Sequence, residues 1–440
     1  MKGALPVIVC KFGGTSLCDA TRFFRVADLI AKDSARRVVV PSAPGKRFAE
    51  DEKITDLLLQ CYGAGQARAQ ELFAHVRQRY AVIAKELGFA GLLDEQLEQI
   101  QRRFRHESLP WALSRGEYLS GLLLAKLLDW SFLDAAQAVF FGADGRCDLE
   151  KTESALRAAM PHKGGLVLPG FYGAASDGSI RTFPRGGSDI TGAIAARALG
   201  ASLYENWTDV PGVLAADPRI VPQARVVESL SYRELRELSA MGAGVLQEEA
   251  VLPVREAGIP IAVRSTLDPS APGTLIQPLQ TSSPLPVTGV TGRRGFVPIM
   301  LEKTLLRSDP LLIQRALETL NTFRVPLEHM PSGVDTLCLL VPECALAPCR
   351  EALQRALFTA LKPDSIELGK PLALLAIVGN GMRGRRGVAA QVLDALADDG
   401  IRVRMLNYGA GGFTLLIGVD EDDFEDGIRS AYRGAFSQEA

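Results

Sequence analysis

Lys11-Phe-Gly-Gly-Thr-Ser16 stands between an apolar run, Pro6 to Cys10, and a periodic stretch that includes Phe23, Phe24, Ala27 and Ile30. That context predicts a strand-to-helix turn, a place where phosphates bind. Gly13 and Gly14 let the backbone pass close to an anion, the helix start offers N–H groups, and Lys11 supplies a mobile positive charge. The spacing G-x-x-x-x-G-K-[ST] is absent here, which disfavours a P-loop fold. Alone, a Gly-Gly-Thr triplet is more often an ordinary turn with a helix cap.

A second glycine-rich segment, Phe183-Pro-Arg-Gly-Gly-Ser-Asp-Ile-Thr191, opens another helical stretch, Ile190 to Leu199. Arg185 is a planar donor fork suited to a carboxylate. The Gly186-Gly187 pair allows close backbone approach, and Asp189 brings a carboxylate beside phosphate donors, which suggests Mg²⁺ or an orienting role. Two such segments in one chain look like the halves of a phosphoryl-transfer site.

The surrounding chain is that of an ordinary globular protein: 440 residues, 47% apolar, 23% charged and a net charge of −2. Its isoelectric point is near 6.2, so no global field draws it to nucleic acid or to an anionic membrane. The Arg383, Arg385 and Arg386 cluster is too small to alter that. No apolar run approaches the ~18 residues needed to span a bilayer, and a cytoplasmic location is expected. Seven cysteines without C-x-x-C pairs point to reduced thiols, Cys344 and Cys349 forming an isolated C-x₄-C. Four histidines, none at ligand spacing, make a structural zinc site improbable.

From residue 1 to about 280, β-branched runs such as Arg37 to Val40, Gly165 to Pro169 and Ile259 to Val263 alternate with helical patterns. The alternation predicts an α/β domain with a mostly parallel sheet over 1–283. Gly63 to Arg105, rich in Gln, Glu, Arg and Leu, reads as a peripheral or lid-like helical insert. Linker composition at Gln280-Thr-Ser-Ser-Pro-Leu-Pro286 marks a boundary. Beyond it the chain repeats: Val325 to Gly333 aligns with Ile401 to Gly409, and Leu337, Leu339 and Val341 fall opposite Phe413, Leu415 and Ile417. Two βαββαβ modules follow, over 284–366 and 367–440 if contiguous, with interleaving also open.

Several blocks in order resemble the aspartate kinase family over nearly the whole chain. They are Lys11 to Ser16, Val38-Val-Val-Pro-Ser-Ala-Pro44, Lys53-Ile-Thr-Asp56, Ser114-Arg-Gly-Glu117, Phe183 to Ala193, Asn206-Trp-Thr-Asp-Val-Pro-Gly212 and Ala216-Asp-Pro-Arg219. The resemblance implies an amino-acid-kinase fold followed by two ACT modules, of the monofunctional type. It also implies ATP-dependent phosphorylation of the side-chain carboxylate of L-aspartate, the first step towards lysine, threonine and methionine. Lys11 and Asp189 are then the catalytic pair. Ser42, Thr55, Glu117, Arg185, Gly187 and Ser188 bind aspartate, with Glu117 on its ammonium and Arg185 on its α-carboxylate. Lys11, Gly13, Gly14, Thr15, Thr208, Asp209, Leu214, Asp217 and Arg219 hold the nucleotide. Mg²⁺ arrives with ATP, near Asp189, with no metal site made by protein alone. Ser308, Glu328, Ser332 and Asp335 are effector candidates, and a homodimer forms through the ACT modules, with neither nucleic acid nor membrane as partner. The alternatives are a catalytically weakened amino-acid sensor on the same fold and a related kinase acting on glutamate or carbamate.

The chain departs from the family pattern in places. Met241-Gly-Ala-Gly-Val-Leu-Gln247 has Gly244 where a lysine is frequent and Gln247 where a histidine is, which predicts weaker ATP binding or a substitute charge from Arg219. Leu214 stands where an aromatic is common. Arg307-Ser-Asp-Pro-Leu311 stands where the family often has a Gly-Phe pair whose backbone binds an inhibitor, and Tyr408-Gly-Ala-Gly-Gly412 stands where it has a glutamine and Ser-Ser-Glu, which predicts weakened feedback or a different effector.

Overall fold

The computed structural model describes residues 6–184, 186–244, 246, 248–278, 285–306, 309, 311–409 and 411–437. The chain divides into two compact units. The first comprises residues up to Val213, Val226–Tyr232 and Gly244–Gln280; the second comprises Leu214–Arg225, Arg233–Ala243 and the chain from Thr281.

In the first unit the strands are β1 (Ile8–Phe12), β2 (Arg36–Pro41), β3 (Ser131–Phe132), β4 (Leu166–Val167), β5 (Tyr172–Ala174), β6 (Ile180–Thr182), β7 (Leu203–Thr208), β8 (Ser229–Ser231), β9 (Ile261–Ser265) and β10 (Thr274–Gln277). Its helices include α1 (Ala20–Ala31), α2 (Ile54–Gly63), α3 (Gln66–Glu86), α4 (Asp94–Arg103), α5 (Leu109–Leu128), α6 (Leu149–Ala159) and α7 (Gly187–Leu199); α8 (Tyr232–Ala240) falls, from Arg233 on, to the second unit, and α9 (Glu248–Glu256) belongs again to the first. The sheet runs β3-β4-β2-β1-β7-β9-β10-β8, parallel throughout except where β10 meets β9. β1 is buried along its whole length, as expected for a central parallel strand covered on both faces. The chain passes from β1 to β2 on one side, while from its other neighbour, β7, it runs on to β8 and β9 in the opposite direction. Open sheets bind ligands beyond the strand ends at such a switch point.

The first helix differs in detail from its sequence pattern. Asp19 caps α1 by accepting from the Arg22 N–H. The buried stripe is Phe23, Val26, Leu29 and Ile30, while Phe24 is 46% exposed. Gly63 to Arg105 forms no lid either. Leu72, Phe73, Val76, Tyr80 and Ile83 of α3 join the main core with Leu57 and Leu58 of α2 and Leu119 and Leu123 of α5. The polar count of this segment conceals a helical apolar stripe.

The second unit holds β11 (Gly289–Glu302), α10 (Leu312–Thr322), β12 (Thr336–Pro342), α11 (Glu343–Leu346), α12 (Arg350–Leu361), β13 (Ser365–Leu368), β14 (Leu372–Val378), α13 (Val388–Asp398), β15 (Val403–Tyr408), β16 (Thr414–Asp420) and α14 (Phe424–Phe436). β11 serves two modules. Its first half pairs with β14 and its second half with β12 and β13. Gly295, at φ 83°, lies at the irregularity between the halves. A contiguous cut at 366/367 therefore does not describe the sheet, because the strand that completes the second module comes from residues 289–296. The two aligned repeats take the same form: β15 pairs with β16, and His329 and Ser332 bridge to Leu340 and Leu337 of β12. Leu337, Leu339, Val341, Phe413, Leu415 and Ile417 are all buried.

Residues 214–225 and 233–243 depart from a kinase domain spanning 1–283. Ala216 and Val221 pack into the core of Val290, Leu375, Val392 and Ile417, and the Val290 N–H donates to the Ala215 carbonyl at 2.7 Å. The seven cysteines are free thiols. Among the described residues no helix is long and apolar enough to cross a membrane.

Candidate active site

Lys11 is the one charged residue of β1, and it is buried within the strand rather than carried on the turn beyond it. In register it faces Asn206 of β7. Its Nζ lies 2.6 Å from Asp189 Oδ1, in the first turn of α7. Asn206 completes the group: its Nδ2 donates to Asp189 Oδ1 at 2.9 Å, and its Oδ1 accepts from Lys11 Nζ at the long limit of 3.5 Å. A buried ammonium needs such compensation.

The glycine turn does two separate things. A Cβ on Gly14 would stand 2.7 Å from the Ala43 carbonyl oxygen and 3.0 Å from the Gly45 nitrogen, so this glycine lets the loops after β1 and β2 touch. The Gly45 N–H donates to the Gly14 carbonyl there at 2.8 Å. A Cβ on Gly13 would meet only ordinary contacts, nearest the Trp207 oxygen at 3.6 Å, and the Gly13 N–H donates to that same oxygen at 3.0 Å. Instead of a long helix, a short 3₁₀ turn, Gly14–Leu17, follows. Thr15 lies on that turn, half-buried. Ser16 meets Thr266, beyond β9, at 2.9 Å, and Thr266 in turn donates to the carbonyl of Thr208. The ends of β1, β7 and β9 are thus tied together, and Asp209 is exposed just past β7.

Around the other side of β1, Ser42 follows β2 with its N–H on the Phe12 carbonyl. Thr55 sits half-buried in the first turn of α2, whose cap position is Lys53. Glu117 of α5 is 4% exposed, and its Oε2 is buried without a hydrogen-bond partner. Burial pushes its carboxyl up to about 8, although the Ala43 N–H and the Arg115 charge pull the other way. An orphaned buried oxygen of this kind is a ready partner for a cation. Gly116 brings α5 this close, since a Cβ there would lie 2.7 Å from that of Ala43.

At the second glycine segment, Gly186 adopts φ 82° and Gly187 begins α7. A Cβ on Gly187 would meet the Phe171 ring at 2.7 Å, and one on Gly170 would meet Ser188 at 2.6 Å. Ser188 is 8% exposed. Arg185 lies outside the described residues.

The remaining expected residues are placed elsewhere or already engaged. Leu214, Asp217 and Arg219 belong to the second compact unit rather than to the same one as Thr208 and Asp209. There Arg219, 88% exposed, pairs with Asp217 at 2.6 Å. The exposed loop after β7 carries the chain from one core to the other, which motif order does not reveal. Gly244 is exposed, and a Cβ added to it would meet nothing within 4 Å; Gln247 lies outside the described residues. Of the effector candidates, Ser308 also lies outside them. Glu328 pairs with Arg293 at 3.4 Å, Ser332 bridges to Leu337, and Asp335 accepts from the Leu305 N–H. Sequence reasoning gave Asn206 no role of its own. The register of β1 against β7 is what brings it to Lys11. Among the described residues no group of three or more His, Cys, Asp or Glu is placed to hold a metal.

Residues 6–265 match the amino acid kinase family and residues 375–434 an ACT domain. The chain is 32% identical to Aspartokinase 3 of Bacillus subtilis over 98% of both chains. Its fold superposes on the aspartate kinase of Clostridium acetobutylicum with a TM-score of 0.88 and 40% identity, covering 98% of this chain and 100% of that one. Aspartokinase III of Escherichia coli, solved with aspartate and ADP, gives a TM-score of 0.75 at 26% identity, with 98% and 100% covered. With both the kinase portion and the ACT portion matched, and similarity running end to end, the chain belongs to the aspartokinase family.

Proposed function

We propose that this protein transfers the γ-phosphoryl group of ATP to the side-chain carboxylate of L-aspartate, giving 4-phospho-L-aspartate and ADP. The observation that carries the reading is the largely buried Lys11–Asp189 pair, where β1 meets the first turn of α7. Glu117 supports it, being a buried carboxylate in the same unit with one oxygen unpartnered.

The acceptor carboxylate has a pKa of about 4 and is ionised at pH 7, so the reaction needs no general base. The obstacle is the approach of two anions. Lys11 offsets charge on the transferring group, and the N–H groups at the start of α7 supply further donors. Glu117 takes the substrate ammonium, and Arg185 its α-carboxylate, which together select an α-amino acid. Ser42, Thr55 and Ser188 complete the aspartate pocket. Mg²⁺ enters with the nucleotide, since Asp189 offers a single carboxylate already paired with Lys11, and when bound it neutralises phosphate charge. Thr15, Thr208 and Asp209 line the nucleotide side. We further read the protein as a cytoplasmic homodimer joined through its ACT modules, which take an amino-acid effector.

The test is ADP release with ATP and Mg²⁺ in the presence of aspartate, glutamate or N-acetylaspartate. Turnover with aspartate alone supports the reading. Equal turnover with glutamate would overturn the substrate assignment, and equal turnover with N-acetylaspartate would remove the role of Glu117.

A further inference from the structure

Asn206 is 4% exposed in the middle of the catalytic unit, and its neighbours explain where it points. Successive residues of a strand face opposite sides. Glu205 and Trp207 turn one way, where Glu205 accepts from Arg36 Nε at 2.8 Å and from Trp207 Nε1 at 2.9 Å. Tyr204 and Asn206 turn towards α7 and hold the same residue there. The Tyr204 hydroxyl donates to the Asp189 carbonyl at 3.1 Å, and Asn206 Nδ2 to the Asp189 carboxylate at 2.9 Å. The Asn206 amide can be oriented in only one way. Its NH₂ faces the carboxylate and its oxygen faces the Lys11 ammonium, and a flip would set like charges together.

Asp189 Oδ1 therefore has two donors, the ammonium of Lys11 and the amide of Asn206. In the kinase reading, Lys11 has to turn from this carboxylate towards the anion being transferred. A largely buried carboxylate abandoned by its cation is costly unless another donor stays. We propose that Asn206 is a positioning residue that keeps Asp189 in place while Lys11 is drawn to the phosphoryl group. The proposal rests on the kinase reading above. Because the exchange takes place on the way to the transition state, its loss falls on kcat rather than on KM.

Two variants test it. Asn206→Leu keeps the branching and the number of side-chain heavy atoms and removes both hydrogen bonds; kcat should fall about 10–100-fold with KM for aspartate and ATP within about threefold. Asn206→Asp keeps the shape but sets a second carboxylate against Asp189, and one of two such carboxylates holds its proton to higher pH. Its kcat should recover towards acid pH and fall as pH rises, a limb the unaltered protein lacks. The proposal is overturned if both variants keep kcat within twofold, or if kcat and melting temperature fall while KM rises with no new pH limb. The unaltered protein assayed alongside separates the two claims: if it shows no aspartate-dependent turnover, the kinase reading falls and takes this role with it.

Discussion

Lys11 Nζ and Asp189 Oδ1 stand 2.6 Å apart, their side chains only 11% and 18% exposed. The pair joins a central strand to the first turn of a helix that starts far along the chain. Lys11→Ala removes the charge that meets the phosphoryl group. We expect kcat to fall about 10²–10³-fold while aspartate binding, measured by calorimetry, changes little.

Glu117 sets a pH dependence. Burial raises its carboxyl to about 8, so at neutral pH it is mostly protonated, and the substrate ammonium has to expel that proton. KM for aspartate should decrease as pH rises from 6.5 towards 8, by at most about tenfold per unit, and level off above. Glu117→Gln should flatten the profile at a high KM. The same shift destabilises the fold with rising pH, because between about 4.5 and 8 the native state holds a proton that the unfolded chain has lost. The melting temperature of Glu117→Gln should therefore gain on that of the unaltered protein across this window.

The two glycines of the first turn should separate in a mutational test. Gly14→Ala drives a Cβ to 2.7 Å from the Ala43 carbonyl and 3.0 Å from the Gly45 nitrogen, and should cost about 1–3 kcal/mol in a denaturant titration. Gly13→Ala meets only ordinary contacts. It should unfold within about 0.5 kcal/mol of the unaltered protein while raising KM for ATP.

The loop after β2 depends on a buried ion pair. Asp51 accepts from Arg79 at 2.7 Å and from Arg47 at 2.8 Å. Hydrogen bonding from Arg47 and the nearby Arg79 hold its carboxyl below the usual range. Asp51→Ala strands Arg79, which is 8% exposed, at a cost of about 3–5 kcal/mol. Because Arg79 also donates to the Gly45 carbonyl, the same variant should raise KM for aspartate. The depressed carboxyl places this contribution in full above about pH 4; it is lost only as pH falls further, through the folded-state value. Melting curves from pH 3 to 7 check both points.

These residues also show how far the sequence can be read. The alternation of apolar runs and helical periods foretells the parallel sheet, and the first glycine segment marks the end of its strand β1, while the second follows β6 of the separate β5–β6 pair and opens α7. What the pattern lacks is pairing. That β7 lies beside β1, and so brings Asn206 and Asp189 to Lys11, is a long-range outcome of packing with no local signature. Gly14 reads as a phosphate glycine, yet its close neighbour is the Ala43–Gly45 backbone. The α3 segment reads as a polar insert because its few apolar residues are spaced around a helix, and only their common burial shows them to be core. Asp217 and Arg219 follow Thr208 closely in sequence, but their segment is claimed by the core that holds Val290 and Leu375.

The ACT portion offers a prediction about regulation. The turn after β15 closes through the Gly412 N–H on the Gly409 carbonyl at 2.8 Å, with Gly412 at φ 60°, and its glycines present no side-chain donors to an amino acid. Inhibition by lysine or threonine should accordingly be weak. A titration giving strong inhibition by either at micromolar concentration would contradict this.

The most direct test of the central claim is to trap the product. The protein is incubated with ATP, Mg²⁺, aspartate and hydroxylamine, and aspartate hydroxamate is quantified beside ADP, with Lys11→Ala in parallel. Equal amounts of hydroxamate and ADP from the unaltered protein, and neither from the variant, are the outcome predicted here. ADP without hydroxamate, or undiminished hydroxamate from Lys11→Ala, would contradict it.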